Sequence, residues 1–127
     1  MKMKRIISTE IAPQAIGPYS QAVEIDGTLY ISGQVPLVPE TMQVVEGGIT
    51  EQTFQVMKNI GAILEAAGYT YNDVVKSTCL LSNMDDFKAM NEVYGQFYQE
   101  DPPARAAFAV KALPLDVLVE IETIAVK

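Results

Sequence analysis

The sequence predicts a single α+β domain over residues 1–127, in the order βββ-α-β-α-ββ, with a mixed sheet carrying two helices on one face. Three observations lead there: an Asp26-Gly27 pair between two strand-like runs, two stretches with apolar residues at three- and four-residue intervals, and a length that suits one core.

Residues 4–8 read as a short first strand. Residues 11–21 are irregular, because Pro13, Gly17 and Pro18 interrupt helix and sheet alike. Residues 22–25 and 28–32 flank Asp26-Gly27, whose glycine takes the positive φ that a two-residue hairpin demands, so these strands pair. A loop bracketed by Pro36, Pro39 and Gly47-Gly48 follows, with room for a short extra strand at 43–45. From 50 to 67, Phe54, Met57, Ile60, Gly61, Leu64 and Ala67 recur at helical spacing, and Gly68 stands at the stop. Residues 74–83 are a β-branched and apolar run suited to a buried strand. The second helix covers 85–99, with Phe87, Met90, Val93, Tyr94 and Phe97 along one face. Pro102-Pro103 ends it, and 105–111 and 117–126 are the last strands, joined through Leu113-Pro114. Two helices cover only one face of such a sheet. The other is expected to carry Leu29, Ile31, Leu81, Val119 and Ile121 or their alternates, which calls for burial by self-association.

Composition narrows the function. With 49% apolar and 20% charged residues, the chain is an ordinary globular protein. A net charge of −7 repels a phosphate backbone, so RNA binding is expected to be negligible at physiological salt. No apolar run approaches the roughly 20 residues of a membrane span, and no apolar stretch follows the basic start MKMKR, which points to a cytoplasmic protein. The single Cys79 cannot form an internal disulfide and suits a reducing compartment. In mid-strand it reads as a buried apolar residue, not a nucleophile. With no histidine and one cysteine, most zinc sites and both Ser-His-Asp and Cys-His catalysis are excluded. Carboxylates, Arg, Lys, Tyr, hydroxyls, backbone and water remain, and neither a metal nor a cofactor is expected.

Several motifs stand in register: Gly17-Pro18-Tyr19-Ser20-Gln21-Ala22, Ser32-Gly33-Gln34, Asn91-Glu92-Val93-Tyr94, Pro103-Ala104-Arg105, Leu113-Pro114, and Glu120-Ile121-Glu122 ahead of Ile124-Ala125. In this order and spacing the chain resembles the Rid family of reactive intermediate deaminases, also known as the YjgF/L-PSP family, and its RidA subgroup in particular, over nearly its whole length. The resemblance implies a chorismate-mutase-like fold and a barrel-like homotrimer with the sheets inside and the helices outside. It implies ligand clefts between subunits and hydrolysis of 2-iminopropanoate and 2-iminobutanoate to 2-keto acids and ammonia. Such imines arise from enamines released by pyridoxal-phosphate dehydratases acting on serine and threonine.

The resemblance also assigns residues. Arg105 is similar to the family's carboxylate anchor, and a planar fork of donors suits a carboxylate at any working pH. Glu120 matches the position that orients or activates the attacking water. It shares a strand face with Glu122, which stays structural. Tyr19, beside rigid Pro18, resembles the tyrosine at the cleft rim, and Ser32 and Gly33 the strand end that approaches the ligand. Asn91 and Tyr94 lie three apart on one helical face, where a cleft role stands beside capping and packing. Many relatives follow the Pro-Ala-Arg motif with Ser and Cys, whereas Ala106 and Ala107 follow here, so only the Ala107 backbone amide is left to bind a ligand. The pocket is expected to be small, as the substrate is. From another class, a module that binds 2-keto acids or regulates without turnover is the alternative. A ribonuclease is hard to reconcile with the charge and the missing histidine.

Overall fold

The structure is a computed structural model and describes residues 3–127. Its six-stranded sheet is ordered β1-β2-β3-β8-β6-β7, from β1 (Arg5–Ile7), β2 (Ala22–Ile25), β3 (Thr28–Gln34), β6 (Val74–Leu81), β7 (Ala104–Ala109) and β8 (Val119–Val126). β6 and β7 are parallel and every other pair is antiparallel, so the sheet is mixed. β4 (Leu37–Val38) and β5 (Gln43–Val44) make a separate small hairpin in the long loop. β5 is the extra strand expected there, and β4 is its unanticipated partner.

The turn between β2 and β3 is as its sequence requires: Asp26 and Gly27 both take positive φ, at 50° and 81°. Helix α1 (Ile49–Ala67) starts where Glu51 accepts the Gly48 N–H at 2.8 Å and stops at Gly68. Helix α2 (Phe87–Phe97) is shorter than expected, because Met84–Asp86 wind as a 3-10 turn capped by the Asn83 side chain. β8 likewise begins at Val119, since Pro114–Asp116 form a turn in which Leu115 and Asp116 have positive φ.

Both helices lie on one face. Val56, Met57, Ile60, Ile63 and Leu64 of α1 and Met90 of α2 are buried in one cluster with alternate residues of the sheet. The structure decides between the two placements that alternation leaves open. Leu29, Ile31, Leu81, Val119 and Ile121 all belong to the helix-covered face and are at most 3% exposed. Parity decides it, because residues two apart on a strand share a side. The alternates form the open face, along a row that register sets as Ile6, Val23, Tyr30, Ile124, Lys76 and Ala104. Ile6, Tyr30, Phe108 and Val126 are large apolar side chains left exposed there. Among the described residues, no helix is long and apolar enough to cross a membrane.

Candidate active site

Two groups of predicted residues assemble, on opposite faces of the sheet. The first surrounds Glu120, half-buried on the open side of β8. Opposite it, β3 slips register: Ile31 pairs with Thr123 but Gln34 pairs with Ile121, so Ser32-Gly33 form a bulge. A Cβ at Gly33 would overlap a Glu120 carboxylate oxygen and lie 3.1 Å from its Cδ. The acid therefore occupies the space that the missing side chain leaves. Glu120, Gly33 and Tyr19 line a cavity of about 450 Å³ whose apolar wall includes Ile16, Leu37, Pro114 and Leu115. Burial pushes the Glu120 carboxyl above its usual value, and the negative charge of Glu122 adds to the shift. A carboxylate so raised is a stronger base.

The loop carrying Tyr19 is fixed by Gln21, which sequence reasoning did not single out. Its buried amide accepts from the Thr9 N–H at 2.7 Å and donates to the carbonyls of Thr9 and Pro13 at 3.0 and 2.8 Å. Ser32 donates its hydroxyl to the Ser20 carbonyl at 2.6 Å, so this side chain is committed to holding the loop. On the other side of the cavity, Asn59 of α1 donates to the Val35 and Leu37 carbonyls at 3.2 and 3.0 Å. A buried amide on a helix looks like a patterning fault in sequence. Here it anchors the cavity wall.

The second group surrounds Arg105 on edge strand β7. Arg105 pairs with Ser77, which in turn pairs with Thr123, and both partners are buried on the helix side. Arg105 thus faces α2, whereas Glu120, paired with Leu80, faces away. One guanidinium N–H donates to Asn91 Oδ1 at 2.6 Å, and the guanidinium carbon lies 5.1 Å from the Tyr94 ring centroid and 5.5 Å from that of Phe87. Among the described residues no carboxylate pairs with it. Tyr94 is buried, including its hydroxyl, and Ala107 is half-buried two residues along β7 on the side of Arg105. Cys79 is fully buried between these elements, with its thiol pushed up to about 11 by burial against the opposing pull of Arg105, so it stays protonated at neutral pH.

The sequence profile of the family described as Endoribonuclease L-PSP matches residues 9–127. The 2-iminobutanoate/2-iminopropanoate deaminase of Mus musculus is 54% identical over 125 residues, 98% of this chain and 93% of that protein. The crystal structure of RidA from the Antarctic bacterium Psychrobacter superposes with a TM-score of 0.93 at 49% identity, covering 97% of this chain and 99% of that one. That of E. coli TdcF with bound serine gives 0.93 at 40% identity, covering 97% and 98%. The α+β sheet with two helices on one face is the fold these neighbours share. The chain belongs to the YjgF/RidA family, the Rid proteins.

Proposed function

We propose that the protein is a cytoplasmic hydrolytic deaminase converting 2-iminopropanoate and 2-iminobutanoate to 2-keto acids and ammonia, with no metal or covalent intermediate. The observation that carries the reading is Arg105: a guanidinium steadied by Asn91, free of any carboxylate among the described residues, and exposed at the sheet edge. Such a fork takes a small carboxylate by two parallel bonds. The relationship to a mouse protein named for this activity, and to a TdcF structure that holds an amino acid, supports the same ligand class. The family description names an endoribonuclease, but a chain of charge −7 without histidine suits small carboxylates better than RNA.

Arg105 and Glu120 lie on opposite faces of one sheet, so a single chain does not bring them to one substrate. A homotrimer whose open faces meet resolves this, with each cleft taking Glu120, Gly33 and Tyr19 from one subunit and Arg105, Asn91 and the Ala107 amide from its neighbour. In that cleft, water attacks the carbon of the protonated imine while Glu120 takes one of its protons, giving a neutral carbinolamine. Glu120 then gives that proton to nitrogen, and as the carbon–nitrogen bond breaks the carbinolamine hydroxyl passes its own proton to the Glu120 carboxylate, leaving keto acid and ammonia. Positioning supplies most of the gain, because small imines hydrolyse in water even unaided and the barrier to be lowered is modest.

A coupled assay with threonine dehydratase, following keto-acid appearance, tests this. Arg105→Lys should weaken 2-ketobutyrate binding and raise KM. Glu120→Gln should lower kcat by about 10²–10⁴ with KM little changed, as for a proton-transfer group. Parent-like turnover by Glu120→Gln would reduce the acid to a solvated strand residue. Binding of keto acid without any acceleration would leave the protein as a ligand-sensing module.

A further inference from the structure

We propose that Phe87 and Tyr94 are positioning residues for Arg105, two rings of α2 that set the plane of its guanidinium so that the N–H edge left free by Asn91 meets the substrate carboxylate. The inference rests on the reading of Arg105 as the carboxylate anchor. It goes further in assigning the anchor's orientation to Phe87, which sequence spacing marks only as packing, and to Tyr94, for which a cleft role stands beside packing.

Phe87, Asn91 and Tyr94 stand at intervals of four and three, one stripe of a single helix. Each member of the stripe meets Arg105: the two rings at 5.5 and 5.1 Å, the amide at 2.6 Å. The amide fixes one nitrogen, which leaves rotation about that contact unrestrained. Two aromatic faces within reach of the cation remove that freedom, since a planar guanidinium is attracted to the negative faces of rings. A fork aligned before the ligand arrives loses less entropy on binding than one that must be ordered by it.

The two rings contribute differently. Phe87 is half-buried, while Tyr94 is only 5% exposed and sits against Tyr98, ring centroids 4.8 Å apart. The Tyr94 hydroxyl lies beside that of Ser77, yet neither makes a well-aligned hydrogen bond. So loose a contact does not steer the ring. Packing against Tyr98 does, and the ring in turn holds the cation.

The test compares Phe87→Leu, Tyr94→Leu, Tyr94→Phe and Arg105→Lys for 2-ketobutyrate affinity by calorimetry and for KM and kcat in the coupled assay. Each Leu variant should weaken binding and raise KM about tenfold while kcat at saturation stays near the parent's, because only pre-organisation is lost. Tyr94→Phe should recover most of what Tyr94→Leu loses. In the parent, the Arg105 side-chain N–H resonances should lie upfield by ring current, and Phe87→Leu should return part of that shift. This last measurement needs no destabilising change at Tyr94. Parent-like affinity in both folded Leu variants, unshifted Arg105 resonances, or a Tyr94→Phe variant as weak as Tyr94→Leu would overturn the proposal. If Arg105→Lys itself bound 2-ketobutyrate like the parent, the anchor reading would fall instead.

Discussion

Glu120 owes its position to an absence at residue 33. With a Cβ there, the carboxylate would have to leave its place over the bulge, since its Cδ would stand 3.1 Å from the new atom. Gly33→Ala is therefore expected to cost about tenfold or more in kcat through a displaced acid while the protein stays folded, which the coupled assay and a thermal melt check together. Arg105, Glu120, Tyr19 and Gly33 were marked in the sequence as candidates through the motifs that carry the family resemblance. Phe87 and Gln21 were not. A phenylalanine at helical spacing is indistinguishable from a core residue, and a buried glutamine announces nothing until its loop folds around it. The commitment of the Ser32 hydroxyl to Ser20 was equally invisible, since sequence does not say which carbonyl a serine will face.

At the level of elements, the C-terminal end of α1 is tied to the sheet by charge. Arg5 of β1 donates to Glu24 of β2 at 2.8 Å and to the Ala67 carbonyl at 2.9 Å, and Lys127 donates to the Gly68 carbonyl at 2.9 Å. Cations on the last carbonyls of a helix oppose its negative end. The Arg5 hydrogen bond, and after it that from Tyr69 at 2.6 Å, holds the Glu24 carboxyl down to about 2. A carboxyl depressed in the folded state stabilises the fold above its ordinary value near ~4.3, and that contribution is lost as pH falls towards the folded value. Glu24→Gln should accordingly melt lower than the parent at neutral pH, with the difference shrinking as pH drops from about 4.5 to 2, as followed by circular dichroism. An unchanged difference across that range would remove Glu24 from the account. The hairpin and both helices could be read from turn chemistry and periodicity. The bulge in β3 could not, because it depends on a register with β8 far along the chain, nor could β4, whose two residues are too few to show alternation.

For the whole molecule, the proposed trimer predicts one stable species of three chains by light scattering at all working concentrations. A persistent monomer of about 14 kDa would refute it and leave Ile6, Tyr30, Phe108 and Val126 unexplained. The sequence pointed to an apolar face left over by the helices and left its parity open, since alternation shows that two faces differ without showing which one the helices choose. That two-faced layout has a genetic consequence. If Arg105 serves one cleft and Glu120 another, two defective alleles carry complementary lesions. Co-expressed in one cell, an Arg105→Lys chain and a Glu120→Gln chain would assemble at random, and about a quarter of the clefts would draw both intact residues from different parents. Heterozygous cells would then regain roughly that fraction of activity where each homozygote has little. Strict failure to complement would mean that each chain carries its own complete site.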